Sequence, residues 1–201
     1  MKKLLLFLCL VLMQQLSAQE FGGNPASVKW KQIDTDSFRI IFPATVQSQA
    51  KRIAGMLEQM SAAHTQGIGK RLDKISIVLQ PYTTVSNGYV GLAPYRSEFF
   101  LTPPQDAFAL GTNNWANTLA LHEFRHVQQY SNFNRGGSAF MGALFGQAGR
   151  AVANALAVPD WFFEGDAVVN ETILSAQGRG RTPLFMNRFR VLHDAGRKDG
   201  Y

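Results

Sequence analysis

The stretch "LALHEFRHVQQ", residues 119–129, decides how the rest of this chain is interpreted. Two histidines, His122 and His126, stand four positions apart, and Glu123 directly follows the first. Residues four apart share one face of an α-helix, so both imidazoles can reach one metal ion, with Glu123 beside it as a base. The alternative is a polar helix with solvated histidines. A chance HExxH arises in about one shuffled sequence in 500, which favours the metal site.

A catalytic zinc site of this kind needs a third protein ligand and keeps its fourth position for water. One group of zinc proteases places a third histidine at a fixed offset after a glycine, but Gln129 and Asn132 occupy those two positions. Glu164, in "PDWFFEGDAVVNE" (159–171), is near the start of a predicted helix and among aromatic residues. A carboxylate there needs a cation as partner, and a bound metal ion would supply one. We therefore predict Glu164 as the third ligand.

Together these motifs resemble those of a known family. HEFRH (122–126), followed by a W-x-x-E-G-x-A segment at 161–167, resembles the gluzincin metallopeptidases, and in particular their exported bacterial branch called peptidase MA-like. The resemblance extends from "SFRIIFP" (37–43) to the helix that carries Glu164. It implies a thermolysin-like zincin architecture, with a sheet lobe and a helical lobe on either side of a cleft.

The resemblance also implies a mechanism. Glu123 would be the general base and proton carrier in the hydrolysis of a peptide or protein substrate. "RSEFFLTPP" (96–104) would be the edge strand that lines the cleft and pairs with an extended peptide. The zinc ligands that the resemblance implies are His122, His126 and Glu164.

Two features depart from the best-studied gluzincins. The ligands His126 and Glu164 are 38 positions apart, so another helix must fold back between them. Val168 stands where thermolysin-type enzymes have an aspartate. Glu171 follows Glu164 by two turns, and two interpretations of it remain open: an acceptor that steadies a zinc-bound imidazole, or a surface carboxylate.

The group that polarises the scissile carbonyl is not identified by any motif. His193 and Tyr201 are the downstream candidates, and a residue beyond the end of this chain is the third possibility. His193 can equally be a polar position on the last helix. Proteins that resemble this one often continue into a β-propeller-like region, and "RKDGY" (197–201) follows soon after a predicted helix begins. We therefore expect a fragment or a truncated gene.

The first 19 residues have the layout of a secretory signal peptide: two lysines, an apolar run over 4–13, and small residues at Ser17 and Ala18. A run of ten apolar residues is too short to span a bilayer. We expect export to the periplasm, cell envelope or exterior. Cys9, the single cysteine, leaves with the signal peptide, which excludes disulfides, thiolate metal sites and a cysteine nucleophile. Without Lys2 and Lys3 the net charge falls from +6 to +4.

The mature chain, 20–201, is expected to form a single α+β domain. Its sheet lobe, about 27–110, should hold a small mixed or antiparallel sheet with one packing helix at 44–66. Its helical lobe, about 112–201, should carry the zinc site. Predicted strands fall within 37–43, 74–81, 87–94 and 96–104.

Four helices are predicted after Gly111. The first runs to about Tyr130, capped by Thr112, Asn113 or Asn114. The second, 138–157, is rich in small residues and should be packed inside the protein rather than span a membrane. The third begins at Trp161 with Asp160 as its cap, and the last begins within 184–196.

The C-terminal part is basic, with arginines at 179, 181, 188, 190 and 197. Export and the lack of a recognition motif argue against nucleic-acid binding, and a solvated face or a surface for anionic lipid or polysaccharide is more economical. No nucleophile elbow is present. The rival to an enzyme is a peptidase-like envelope binding or scaffold module with weak or no hydrolysis.

Overall fold

A computed structural model describes residues 24–63, 67–69, 71–105 and 113–196 of the chain. The predicted signal peptide and Tyr201 lie outside the described residues. Within them the protein is an α+β structure: a mixed sheet comes first along the chain, with one long helix inserted, and several helices follow.

The sheet has five strands in the order β1-β2-β3-β5-β4. The three inner strands are parallel, and the outer two run antiparallel to their neighbours. Four strands were predicted, and β1 was missed because its residues are nearly all exposed and give no apolar alternation. The strands are β1 (Trp30–Asp34), β2 (Phe38–Pro43), β3 (Ile75–Gln80), β4 (Gly88–Leu92) and β5 (Tyr95–Phe100).

The core lies between one face of this sheet and two helices. In β3 every second residue is buried, Ile75, Ile77 and Leu79, and branched side chains favour this half-buried pleated position. Helix α1 (Gln47–Ala63) follows a short 3₁₀ turn and contributes the buried residues Ala50, Ile53 and Leu57, whose helical spacing was predicted.

The edge of the sheet differs from the expectation. We predicted 96–104 as the edge strand, but β5 lies between β3 and β4, and β4 is the edge. A tight turn at 93–94 folds β5 back antiparallel onto β4, and Ser97 and Phe99 of β5 are buried in the interior. A small and a large side chain that are both buried suit a central strand. The short β4, "GYVGL", occupies the edge.

Four helices follow the sheet: α2 (Trp115–Asn132), α3 (Gly136–Ala157), α4 (Asp160–Leu174) and α5 (Asn187–Asp194). Of the three predicted caps for α2, Asn114 is the one that acts, since its side chain accepts a hydrogen bond from the backbone N–H of Ala116 at 3.1 Å. The indole of Trp115 donates to the carbonyl of Phe100 at 2.8 Å. The start of α2 is thus fixed to the end of β5.

Helix α3 corrects a second expectation, because it is not packed inside the protein. Its buried residues are only Ser138, Gly149 and Asn154, and the side chain of Phe140 is 63% exposed. Small residues permit close packing, but no described element covers most of this helix. Its helical geometry is interrupted at Gly146, whose φ of 63° favours glycine.

Helix α4 begins one residue earlier than predicted. Asp160 is its first residue rather than its cap, and Pro159 at the cap position makes no side-chain hydrogen bond. An aspartate in the first turn still interacts favourably with the positive end of the helix dipole. Across the described helices, none combines the length and apolarity that crossing a bilayer requires.

Candidate metal centre

The histidines of α2 are buried, not solvated. His122 is 7% exposed and His126 is 5% exposed, which rules out the alternative of a polar helix facing water. Their burial follows from the position of α2, which packs against the sheet through residues such as Leu119 and Phe124 on one side and against α4 on the other. The polar side of α2 therefore lies inside the protein, where α2 packs between the sheet and α4.

Helix α4 brings Glu164 to this pair, as predicted. Glu164 Oε2 lies 3.2 Å from His122 Nε2, and Glu164 Oε1 lies 3.5 Å from His126 Nε2. The two imidazole Nε2 atoms are themselves 3.2 Å apart. The three residues therefore form a group that could hold one metal ion. The side chain of Glu164 is 63% exposed, so one side of the group is open to solvent.

Hydrogen bonds fix the tautomer of His126. The amide nitrogen of Gln129 donates to the carbonyl of Phe163 at 2.9 Å and to Asp166 Oδ2 at 2.8 Å. Both partners only accept, so the amide oxygen of Gln129 must be the atom 2.7 Å from His126 Nδ1. That oxygen also only accepts, so Nδ1 carries the proton. The Nε2 lone pair of His126 is left free to bind a metal ion.

Asp166, whose carboxylate accepts the hydrogen bond from Gln129, is itself held in place by Arg125. Arg125 donates to both oxygens of Asp166, from Nε at 2.7 Å and from Nη2 at 3.0 Å. Burial raises the pKa of Asp166, but the hydrogen bonds from Arg125 and Gln129 outweigh it and lower the pKa below its usual range. An ionised Asp166 therefore orients Gln129, and through it His126.

Glu171 orients His122, as Asp166 orients His126 through Gln129. Its Oε2 lies 3.1 Å from His122 Nδ1, and its side chain is only 1% exposed, so it is a buried acceptor and not a surface carboxylate. Burial raises the pKa of Glu171, but hydrogen bonds from His122 and Arg179 lower it to about 2. Arg179 Nη2 is also 2.6 Å from His122 Nδ1, but a guanidinium only donates. With the His122 proton on Nδ1, the favourable partner of that nitrogen is Glu171.

With both imidazoles neutral in these tautomers, the two Nε2 lone pairs face each other at 3.2 Å, an arrangement that a cation between them would stabilise. Burial lowers the pKa of His122, but hydrogen bonds to Glu164 and Glu171 raise it to about 9, so positive charge is favoured here. Burial and the neighbouring His122 lower the pKa of His126, which keeps that imidazole neutral. The donor set thus fits a divalent metal ion.

Glu123 lies beside this group under the edge strand. It is 4% exposed, and its Oε2 has no hydrogen-bond partner among the described residues. Burial raises the pKa of Glu123 to about 7. Strand β4 passes so close that a Cβ at Gly88 would lie 3.0 Å from Glu123 Oε1 and 2.8 Å from Leu119 Cδ2. An unpaired buried carboxylate with this pKa is suited to take a proton from water.

A cavity of about 460 Å³ opens above these residues. Strand β4 forms one wall, α2 forms the floor, and Glu164 with Arg179 forms the other side. Its lining combines the metal-ligand group, apolar side chains and the edge strand: Asn87, Gly88, Tyr89, Val90, Pro104, Trp115, Thr118, Leu119, His122, Glu123, His126, Tyr130, Glu164 and Arg179.

Of the two predicted carbonyl-polarising residues, only His193 belongs to the described residues, and it does not line this cavity. His193 lies on α5 with its side chain 90% exposed and is absent from the cavity lining. Tyr201 lies outside the described residues. His193 is therefore a polar surface position on the last helix, the second of its two interpretations.

Sequence reasoning missed three residues of the site: Gln129, Asp166 and Arg179. Gln129 is one helical turn after His126, a spacing that places two side chains in contact and could have identified it. Asp166 forms its ion pair with Arg125 across 41 positions of sequence, which no local pattern reveals. Arg179 was interpreted as part of a solvated basic face, but it binds the buried Glu171 in the cleft.

Comparison with protein-family models, with curated proteins and with solved structures gives no match to this chain.

Proposed function

We propose that this protein is an exported zinc metallopeptidase of the gluzincin type, acting on peptides or proteins. One observation carries the proposal: His122 Nε2, His126 Nε2 and the Glu164 carboxylate converge within 4.8 Å of one another beside the buried Glu123. Two imidazoles and a carboxylate with an open fourth position are the donor set of catalytic zinc sites. The HEFRH and W-x-x-E-G-x-A motifs agree with this assignment.

The spacing of the donor atoms is compatible with a tetrahedral zinc ion. Bonds of about 2.0–2.1 Å to a tetrahedral ion place neighbouring ligand atoms about 3.3 Å apart. The separations here are 3.2 Å for both pairs that include His122 Nε2, and 3.5 Å between His126 and Glu164. When bound, zinc would act as a Lewis acid that makes water acidic near neutral pH.

Glu123 then has a defined task. Its carboxylate takes a proton from the attacking water and later delivers it to the amine that leaves. A pKa raised by burial to about 7 suits both steps, because the group can accept and release a proton near neutral pH.

The cleft supports a peptide as the substrate. Strand β4 is the last strand of the sheet, so its outer edge presents backbone N–H and C=O groups that an extended chain can pair with. Gly88 brings this edge close to Glu123, so a peptide lying along β4 passes the base.

The test is hydrolysis of a mixed peptide library by zinc-loaded protein, with metal content measured in parallel. Glu123→Gln should retain zinc and lose about 10²–10⁴-fold in rate, the contribution of a general base. Glu58→Gln, an exposed glutamate on α1, is the matched control and should retain full activity. Equal rates for the wild type and Glu123→Gln would refute the assigned role.

The exposed position of His193 favours a second candidate, a binding module without hydrolysis, since this predicted carbonyl-polarising residue does not line the cleft. Stoichiometric zinc with no Glu123-dependent cleavage would support that candidate. Absence of zinc from every variant would refute both.

A further inference from the structure

Hydrolysis of an amide is accelerated by a hydrogen-bond donor or a positive group near the carbonyl oxygen, and Arg179 lines the cavity where it could supply one. Among the described residues that line the cavity, Arg179 is the only one with a permanent positive charge. It lies in the 3₁₀ turn Arg179–Arg181, which is the next element after α4.

The turn that carries Arg179 is fixed against α4. A Cβ at Gly178 would lie 2.3 Å from Thr172 Cα, so only glycine permits this approach without displacing the backbone. The backbone N–H of Gly180 donates to the Thr172 hydroxyl at 3.0 Å, and Arg181 Nε donates to the Thr172 carbonyl at 3.0 Å. The base of the Arg179 side chain is therefore held in place before any ligand binds.

The guanidinium is also held, but only on one side. Arg179 donates to Glu171 from its backbone N–H at 3.1 Å, from Nε at 2.7 Å and from Nη2 at 2.9 Å. No hydrogen bond to the described residues uses Nη1. The Glu171 side chain is 1% exposed and that of Arg179 is 38% exposed, so the buried carboxylate anchors a cation that reaches the cavity. Such a preorganised donor is what oxyanion stabilisation requires.

The tyrosines of the cavity are weaker candidates. Tyr89 is already engaged, because its hydroxyl donates to Glu98 Oε1 at 2.5 Å and accepts from Arg96 at 3.1 Å. Tyr130 stacks against His126 with ring centroids 6.2 Å apart, and it offers a neutral hydroxyl rather than a charge. It is the natural comparison for Arg179.

We propose that Arg179 is the carbonyl-polarising catalytic residue of this site, a role that rests on the peptide hydrolysis proposed above. The water oxygen forms a bond to the carbonyl carbon and gives its proton to Glu123, while the π electron pair moves onto the carbonyl oxygen. Arg179 Nη1 donates hydrogen bonds to that oxygen as its negative charge develops. When the C–N bond breaks, the electron pair restores the carbonyl and the proton passes from Glu123 to the amine.

The experiment compares Arg179→Lys with Arg188→Lys, a control at an exposed arginine of α5 that does not line the cavity. Lysine keeps a positive partner for Glu171 but lacks the second pair of N–H donors. We expect Arg179→Lys to keep its zinc and its thermal transition, to lose about 10²-fold in kcat, and to change KM by less than about threefold. Tyr130→Phe should lose less than Arg179→Lys.

Binding of a phosphinic peptide, in which a tetrahedral phosphinate replaces the scissile amide, gives a readout that does not depend on turnover. Its affinity for zinc-loaded Arg179→Lys should fall by about the same factor as kcat, because both report the developing charge. If the wild type binds the phosphinate through Arg179 but cleaves no peptide, the proposed peptidase function fails and the catalytic role of Arg179 fails with it, and only an anion-binding role of Arg179 in the cavity is supported. If the wild type cleaves peptides and Arg179→Lys loses less than threefold in both measurements, the assignment is overturned and the function stands. A wild type that binds no phosphinate would also overturn the assignment.

Discussion

The two halves of this protein differ in how far their apolar side chains are buried. In the core half, the described residues of 24–132, the sheet, α1 and α2 bury a continuous apolar cluster that runs from Phe38 to Val127. In the outer half, 136–196, large apolar side chains such as Phe145 and Leu156 are 63% and 85% exposed. The difference shows that the core half supplies most of the folding free energy, since stabilisation follows the apolar area removed from water.

The metal-ligand group lies where the two halves meet. His122 and His126 belong to α2 in the core half, and Glu164 belongs to α4 in the outer half. Phe163 and Ala167 are buried where the halves meet, and charged hydrogen bonds cross between them. These hydrogen bonds join Arg125 and Gln129 to Asp166, and His122 to Glu171.

The largest predicted difference is between two phenylalanines, one from each half. Phe124 is 1% exposed and its ring centroid lies 6.1 Å from that of Phe38, so Phe124→Ala should cost about 3–5 kcal/mol of unfolding free energy. Phe145→Ala removes a side chain that is 63% exposed and should cost less than about 0.5 kcal/mol. Urea unfolding followed by tryptophan fluorescence measures both. Similar losses in the two variants would show that the halves do not differ in this way.

The next prediction concerns the contact between α2 in the core half and α4 in the outer half. Glu171→Gln removes the charge that orients His122 and should weaken zinc binding about 10–100-fold, the usual effect of losing a partner behind a metal ligand. Asp194→Asn is the matched control, because that carboxylate is 82% exposed on α5, and its affinity should equal that of the wild type. Competition with a chromophoric chelator measures both affinities. An unchanged affinity in Glu171→Gln would mean that α2 alone orients its histidines.

The smallest predicted effect tests the approach of the edge strand to the base. A methyl group in Gly88→Ala would meet Leu119 and Glu123, so kcat/KM should fall about tenfold, or about 1.4 kcal/mol. Gly55→Ala in α1 is the control, since its methyl group would meet nothing within 4 Å, and it should raise stability by about 0.4–1 kcal/mol. Full activity of Gly88→Ala would show that β4 does not need to lie so close to Glu123.

The same division explains what the sequence could predict. In the core half, alternation in β3 and helical spacing in α1 report burial directly, so four of the five described strands and that helix were predicted, with bounds within about four residues, while β1 was missed. In the outer half apolar residues do not report burial, and the prediction that α3 is an interior helix was wrong. The order of the strands in the sheet could not be predicted from the sequence, because pairing between strands depends on tertiary packing. As a result, β5 was wrongly predicted to be the edge strand.

The residues of the site also differ in how far the sequence predicts them. His122, Glu123 and His126 share one helix, so their spacing alone defines them, and the structure brings Glu164 to them as the motif predicted. Asp166 and Arg179 could not be predicted from local patterns, because their contacts with Arg125 and His122 span long sequence separations. Glu171, in contrast, was among the sequence candidates, and Gln129 is one turn from His126. Arg179 lies 57 positions from His122 in the chain, although Nη2 and Nδ1 are 2.6 Å apart in the fold.

The central claim is that His122, His126 and Glu164, from two halves of the protein, hold one zinc ion. Anomalous diffraction at the zinc absorption edge, from crystals of zinc-loaded protein, tests it most directly. The account predicts one strong peak about 2.0–2.2 Å from His122 Nε2, His126 Nε2 and a carboxylate oxygen of Glu164. A peak held by other residues, or one that leaves Glu164 outside bonding distance, would contradict it.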